Sequence, residues 1–390
     1  MDRALEDKIH TTVKQQARYI ARHDLLHIGK GATYGLFALL MVIVAAAAAS
    51  SSIDAKANSP NADSVFYHLQ KISVQDIEKM LKKFVIRSVK LLKRRFGNRK
   101  FAVAIDYTDE MYYGDKNNAL VVGTKHKNGS NYAFKYLTVN IVVKGCRFFL
   151  FAYPIFQRGD NWKNVERVLD LLEELELKTY VLLLDREFND SKTLNLLDGR
   201  EYSYLIPADQ DSKFIRWKRS VERFPAIFRG WSIANSAETN FIAIEEDGHV
   251  YGYLTNLPEK FYSDDVSVLS NLYSKRWGIE TAHRVEDKFR IYTTTRNGIF
   301  RYLFFVISVL IYNIWVWANF IFGIAGNFRV TVDNIKEIFS EMFTEFFRWL
   351  LSPERWFTFG SVGPIRRELF LCNFGRQTLH KAAFRSCSAK

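Results

Sequence analysis

The sequence contains little cysteine, and nothing in the spacing ties its cysteines together. Cys146, Cys372 and Cys387 are the three in 390 residues, and they are scattered along the chain. This argues against a disulfide framework and against a zinc site, and it fits a reducing compartment. No phosphate-cradling glycine loop and no Ser-His-Asp order stand out, so nucleotide-hydrolase and serine-hydrolase interpretations have no motif behind them. The amino terminus opens with mixed charge and shows no secretory signal.

Two apolar runs have to be weighed as membrane spans. Residues 35–49 form a run shorter than the ~20 residues that a span requires. Residues 302–325 are long enough, but Asn313 and Asn319 interrupt them. We interpret both runs as buried helices and expect no membrane association. A membrane protein with spans at these two places is the alternative.

Acidic residues are outnumbered by basic ones, and the excess is concentrated about a quarter of the way into the chain. The formal net charge is +13 and the pI about 9.4, which favours a polyanionic partner. Residues 71–100 combine a helical apolar stripe with eleven Lys or Arg residues against two acids. Lys93, Arg94 and Arg95 are followed closely by further cations, so we predict contacts with nucleic acid here. A solvated lysine-rich helix is the alternative.

From residue 101 the pattern changes to alternating strands and helices. The predicted strands cover residues 101–108, 132–143, 146–154, 178–185 and 201–208, with an amphipathic helix over 161–177 between the third and the fourth. Three strands followed by strands with crossover helices is the order of a ribonuclease-H-like α/β fold. Residues 209–265 interrupt it as a β-rich insertion, and helices are predicted over 300–325 and 331–351.

These patterns predict a division of the chain into five segments. The segments are a helical DNA-binding region at 1–99, the first part of the core at 100–208, the β-rich insertion at 209–265, the second part of the core at 266–326, and a helical carboxy-terminal region at 327–390.

Three carboxylates are placed where such a fold brings side chains together. Asp106 lies at the end of the first predicted strand and Asp185 at the end of the fourth, and acids at the ends of adjacent central strands converge. Glu280 belongs to a helix in which Tyr273, Arg276 and Glu280 share one face. We predict one continuous helix here. A solvated face with an internal ion pair is the alternative.

Three short motifs resemble those of DDE transposases from insertion sequences. They are Asp106-Tyr-Thr108, Asp185-Arg-Glu-Phe188 and Tyr273-x2-Arg276-x3-Glu280. The resemblance covers about residues 100–325 and is to the group with a β-strand insertion before the glutamate; Leu254-Thr-Asn-Leu-Pro258 and Asn313 also resemble it. One departure is that seven residues separate Glu280 from Lys288 where the family often has six, so Asp287 takes the usual lysine place. The texture of the chain suggests a prokaryotic element, from an archaeon.

The resemblance implies roles for individual residues. Asp106, Asp185 and Glu280 would be the catalytic triad and would hold two Mg²⁺ ions, with Mn²⁺ as a substitute. Arg276 would clamp a phosphate near the scissile bond, and Tyr273 would contact the transposon end. Three further residues are candidate DNA contacts: Lys288 after the glutamate, and Trp231 or Trp217 in the insertion, where a tryptophan can stack on a flipped base. An ordinary core or surface aromatic is the alternative for both tryptophans.

The resemblance also implies partners and a reaction. The expected partner is double-stranded DNA, both element ends and target, bound by a homodimer or a larger synaptic complex in the cytoplasm, at the nucleoid. The expected reaction is cut-and-paste transposition. A ribonuclease-H-like nuclease without strand transfer and an inactive DNA-binding relic are the alternatives. Four neighbouring acids, Asp109, Glu110, Glu187 and Asp190, could be misassigned ligands, and we place Asp109 past the end of the sheet.

Overall fold

The computed structural model describes residues 3–21, 36–56, 61–97, 99–143, 146–156, 160–210, 212–322 and 329–350. These residues form a mixed α/β fold with one central sheet and helices on both sides, consistent with a ribonuclease-H-like core as predicted. Residues 1–340 belong to one compact unit, and a second begins at Glu341. The predicted division into five segments stays a prediction, and the last forty residues lie outside the described part.

Among the described residues, four helices precede the sheet: α1 (Arg3–Ala21), α2 (Leu36–Ala48), α3 (Ala62–Leu69) and α4 (Val74–Phe96). Helix α4 begins with a capping box. The Ser73 side chain accepts a hydrogen bond from the Asp76 amide, and the Asp76 side chain accepts one from the Ser73 amide. The predicted apolar stripe of α4 is buried, which confirms the amphipathic helix. Helix α3 is capped by Asn61, whose side chain accepts a hydrogen bond from the Ser64 amide.

The sheet contains nine strands, which include the five predicted before residue 209 and one, at residues 121–127, that was not predicted. The strands are β1 (Phe101–Met111), β2 (Val121–Lys127), β3 (Ser130–Val143), β4 (Cys146–Pro154), β5 (Thr179–Leu184), β6 (Tyr204–Pro207), β7 (Ala226–Ile233), β8 (Ala237–Glu246) and β9 (His249–Thr255). Their order is β2-β3-β1-β5-β6-β9-β8-β7, with β4 also paired to β3. The β1–β5 and β5–β6 pairs are parallel and the others antiparallel. Helices α5 (Asn161–Glu174) and α6 (Ser191–Gly199) form the crossovers.

Strand β1 is longer than predicted, and the placement of Asp109 past the sheet is wrong. A hairpin of β2 and β3 continues the sheet beyond Asp106, so that β1 pairs with β3 as far as Met111. The hairpin turns at Asn128-Gly129, where both residues have positive φ (50° and 82°). Asn-Gly is the preferred pair for such a turn because both residues tolerate this conformation.

The β-rich segment after β6 continues the same sheet. Helix α7 (Ser212–Ser220) comes first, and strands β7 to β9 follow. Strand β9 pairs antiparallel with β6, and the tight turn before it is Asp247-Gly248, both at positive φ. This insertion therefore widens the core sheet.

The predicted continuous helix around Glu280 is wrong, because the structure breaks it into α8 (Ser267–Ser274) and α9 (Trp277–Glu286). Between them the amide of Arg276 bonds to the Tyr273 carbonyl (2.8 Å) and that of Ile279 to the Arg276 carbonyl (2.6 Å), so the backbone tightens to i→i+3 bonding. Gly278 packs directly on the Arg147 guanidinium of β4, which a Cβ atom would overlap. The tight turn and the glycine let α9 approach the sheet closely.

Two long helices complete the described part, α10 (Gly298–Phe322) and α11 (Val332–Leu350). Within the described part of the chain, one helix, Gly298–Phe320, is long and apolar enough to cross a membrane, but 83% of its most apolar window is buried inside the protein. Asn313 is fully buried and bonds both to the Phe149 amide and to the Phe149 carbonyl (2.9 Å each). These two bonds satisfy the backbone at a bulge where β4 shifts its register on β3. The interpretation of the run 302–325 as a buried helix is confirmed for its described part, and residues 323–325 lie outside the described residues.

A buried carboxylate joins α9 to α10. Glu286 is completely buried, its carboxylate lies 2.8 Å from Arg290 Nη2, and the Ser308 hydroxyl of α10 donates to it. Burial alone would raise the pKa of Glu286, but the Arg290 guanidinium and the hydrogen bonds outweigh burial and lower the pKa to about 2. The carboxylate therefore stays ionised inside the protein and ties the two helices together.

Replacing Asn313 by alanine should destabilise the fold. The Phe149 amide and carbonyl would lose their partners inside the core, at a cost of roughly 2–4 kcal/mol for the two groups. Urea unfolding followed by circular dichroism measures this loss. Asn271→Ala is the matched control, because Asn271 is an exposed helical asparagine of α8. Equal stabilities of the two variants would contradict the anchoring role of Asn313.

Glu286→Gln should destabilise the protein at neutral pH by about 3 kcal/mol, because it leaves the Arg290 charge without its main buried partner. The folded pKa of Glu286 lies below the ordinary value of 4.5, so its stabilisation is present above pH 4.5 and is lost as the pH falls towards 2. Urea unfolding at pH 7.5, 5 and 3.5 should show the difference from the unmodified protein narrowing at the lowest pH. The exposed Glu222→Gln variant is the control and should show little difference at any pH.

Candidate active site

Asp106 and Asp185 lie side by side because two parallel strands pair immediately before them. Ile105 of β1 is the register partner of Leu184 of β5, and each aspartate is the next residue. Both carboxylates face the guanidinium of Arg276. Its Nη1 lies 2.8 Å from Asp106 Oδ2, and its Nη2 lies 3.6 Å from Asp185 Oδ1. The predicted convergence of these two acids is thus present in the structure.

The Asp106 carboxylate is held in a crowded and poorly solvated place. Its side chain is 13% exposed, its Oδ2 accepts from Arg276, and its Oδ1 accepts from the Tyr107 amide (2.9 Å). The pKa of Asp106 is raised to about 6: burial is the main cause and the neighbouring Asp185 adds to the rise, while the Arg276 guanidinium opposes it. The two carboxylates repel each other in this poorly solvated place, so a positive charge beside them stabilises the pair.

Arg276 supplies that positive charge from the tight turn between α8 and α9. Its side chain is 10% exposed, and its Cζ lies 5.3 Å from the centre of the Tyr273 ring. Tyr273 itself is buried and packs against Tyr253 of β9, with ring centres 5.7 Å apart. The structure therefore places Tyr273 beneath the guanidinium. Its contact with a transposon end stays a prediction.

Glu280 does not join the two aspartates in this structure. It lies on α9, four residues after Arg276, and is exposed. Across the described ranges, no three His, Cys, Asp or Glu side chains lie close enough together to hold a metal ion. Asp106 and Asp185 nevertheless fit one, because two hard oxygen donors already share a single cationic group.

The four acids that could have been confused with the ligands each have a structural partner. Asp190 caps α6 by accepting from the Thr193 amide (2.9 Å). The other pairs are Asp109 with the Thr124 hydroxyl, Glu110 with Arg301, and Glu187 with Lys135. These contacts leave Asp106 and Asp185 as the acids that face the shared space.

One feature of the site was missed at the level of sequence. Thr138 of β3 is the register partner of Asp106, and its hydroxyl donates to the Asp106 carbonyl (3.2 Å). The same hydroxyl lies 3.2 Å from His283 Nε2, and His283 Nδ1 lies 4.0 Å from the buried Glu286. These contacts connect the backbone of β1 at Asp106, through Thr138 and His283, to the buried Glu286. The i,i+3 spacing of His283 and Glu286 is its one signal in the sequence.

The predicted DNA contacts on α4 lie in its last turn. Arg94 and Arg95 are exposed, and Lys93 pairs with Glu176 after α5 (3.3 Å). Nearer the start of α4, Lys82 pairs with Glu174 of α5. Part of the basic face is thus neutralised by the neighbouring helix, and the exposed positive charge is greatest at the carboxy-terminal end.

The remaining candidate DNA contacts, Lys288 and Trp231, have surroundings unlike those of the two aspartates. Lys288 is exposed, and Asp287, which takes the family's lysine place, pairs with Arg290 (2.8 Å). Trp231 is 7% exposed and stacks on Phe241, with ring centres 4.4 Å apart. The DNA contacts of Lys288 and Trp231 stay predictions.

Two comparisons with known proteins find transposases that are similar to this chain. Residues 124–314 match the family model of the transposase DDE domain. No curated protein matches the chain. A solved structure with a similar fold is the cryo-EM structure of the piggyBac transposase synaptic complex with hairpin DNA, at a TM-score of 0.57 and 12% sequence identity, covering 89% of this chain and 80% of that chain.

At that identity the structural likeness concerns the fold, while the family match concerns a segment that contains Asp185, Arg276 and Glu280. The family match covers a little less than half of the chain, so it is a likeness of that segment to the transposase DDE domain.

Proposed function

We propose that this protein is the transposase of a prokaryotic, archaeal insertion sequence, cutting the element's ends and joining them to target DNA by a cut-and-paste route. The observation that carries the proposal is the pair Asp106 and Asp185, which share one cationic partner at the point where the parallel pairing of β1 with β5 ends. The family match over residues 124–314 supports the same reaction class.

Asp106, Asp185 and Glu280 would hold two Mg²⁺ ions, or Mn²⁺ in their place. Bound there, the ions would supply an activated hydroxyl and a stabilised leaving oxygen for phosphodiester cleavage and transesterification. The chain's own contribution is to hold the two aspartates by the β1–β5 pairing and to present Glu280 from α9, where its exposed side chain is unobstructed. Arg276 would bind a phosphate oxygen through its planar fork of donors.

The DNA partner would be double-stranded, both at the element's ends and at the target, and held by a homodimer or larger synaptic complex in the cytoplasm. The net charge of +13 supports a polyanionic partner. The exposed Arg94 and Arg95 would meet the DNA backbone together with Lys93. Tyr273, Lys288 and Trp231 are further proposed contacts, of which Lys288 alone is exposed in this structure.

A nuclease without strand transfer would use the same carboxylates, and an inactive relic would need none of them. Asp106, Asp185 and Glu280 are all present, which favours an active enzyme. The reaction products separate the first two functions, because a transposase joins the donor end covalently to target DNA and a simple nuclease releases it.

Asp106→Asn and Glu280→Gln should each abolish cleavage of DNA that carries the element's ends, by about a thousandfold or more, because a metal ligand is removed. Binding of the same DNA in a mobility-shift assay should persist. Glu187→Gln is the matched control: this acid is close in sequence to Asp185 but pairs with Lys135 at the surface, so cleavage should be nearly unchanged. Normal cleavage by either ligand variant in Mg²⁺ would refute the assignment.

Arg94→Gln combined with Arg95→Gln should weaken DNA binding about equally for all sequences. Each lost phosphate contact should also lower the slope of log affinity against log salt by about 0.9. Binding isotherms at several salt concentrations measure both effects. Lys82→Gln is the control on the same helix, since Lys82 is already paired with Glu174. An unchanged slope in the double variant would place the DNA elsewhere.

A further inference from the structure

Arg276 occupies the place where the proposed function requires a divalent cation. Its two terminal nitrogens reach Asp106 Oδ2 (2.8 Å) and Asp185 Oδ1 (3.6 Å). We propose that Arg276 is an internal counter-cation, which holds the two aspartates together in the metal-free protein and leaves them when a divalent cation binds. This inference rests on the proposed function. It adds to the phosphate-clamp role of Arg276 a competition between Arg276 and a divalent cation for the two aspartates.

The arrangement of donors around Asp106 determines which partner has to move. Oδ1 accepts from the Tyr107 amide, which belongs to β1 and is fixed by the sheet. Oδ2 accepts from Arg276, which is a side chain and not part of the backbone of the sheet. A cation that bridges Asp106 and Asp185 must therefore take the space of the guanidinium, and the like charges of the two would repel at this distance.

The same constraint explains why the metal-free protein needs Arg276. The paired strands force two carboxylates together in a place where Asp106 is 13% exposed, so their repulsion is poorly screened. A planar guanidinium can bond to both at once, whereas a lysine ammonium is a single point charge. Once displaced, the guanidinium is free for a phosphate oxygen of bound DNA, so its two roles follow one another.

Binding of Mn²⁺ alone to the full chain, measured by electron paramagnetic resonance, tests the competition. Arg276→Gln should bind Mn²⁺ on the order of tenfold more tightly than the unmodified protein, because an ionic hydrogen bond no longer has to be broken. Arg186→Gln is the matched control. Arg186 adjoins Asp185 in sequence, but its side chain is half exposed and lies 3.8 Å from Asp209, so its loss should change Mn²⁺ affinity by less than about twofold.

Equal or weaker Mn²⁺ binding by Arg276→Gln would overturn the competition, because Arg276 would then support the metal site. An equal gain in Arg186→Gln would overturn it too, since the effect would be one of general charge.

A structure of the unmodified protein with Ca²⁺ decides the matter if Arg276→Gln fails to fold. Separation of Arg276 Nη1 from Asp106 Oδ2 beyond hydrogen-bond distance would support the proposal. Persistence of the 2.8 Å contact beside a bound Ca²⁺ would overturn it.

Asp106→Asn separates this inference from the proposed function. If Mn²⁺ binding depends on Asp106 but not on Arg276, the competition is wrong and the metal-dependent function stands. If Mn²⁺ binding and DNA cleavage are both indifferent to Asp106, the proposed function fails and the competition fails with it.

Discussion

The interaction on which the rest of the site depends is the pairing of β1 with β5, which forces Asp106 and Asp185 into neighbouring positions. Two carboxylates at this separation repel each other, and burial makes the repulsion stronger because less water screens it. The fold therefore needs a positive charge at one defined point, and Arg276 provides it. Arg276 lies in the turn between α8 and α9, directly before the helix that carries Glu280.

Helix α9 is held from its other end by a second buried charge. Glu286 bonds to Arg290 and to Ser308 of α10, while Asn313 of α10 bonds to the backbone of β4. A buried ion pair contributes little net stability compared with apolar residues of equal volume, but it is costly to break. Its effect here is to define the position of α9 on α10. The apolar composition of α10 thus reflects a core helix, in which the buried Ser308 and Asn313 each have a hydrogen-bond partner.

Much of this fold was accessible from the sequence, and the parts that were not share a cause. The strand order and the positions of Asp106 and Asp185 were predictable because buried strands show as apolar runs that end at an acid. The break before α9 was not, because it accompanies the packing of Gly278 on Arg147, a residue far away in the chain. The longer β1 could have been inferred from Asn128-Gly129, a local turn signal, whereas the capping role of Asp190 depends on where α6 begins.

The position of Glu280 follows from charge balance at the same point. In the metal-free protein one guanidinium faces two carboxylates, so the centre already carries more negative than positive charge. Bringing Glu280 in would add a third negative charge in a poorly solvated place with no additional partner, which the high cost of unpaired buried charge opposes. Glu280 therefore stays in solvent on α9. Two divalent cations would reverse this balance, since they supply four positive charges against three carboxylates. Both the exit of Arg276 and the entry of Glu280 would then lower the free energy of the site.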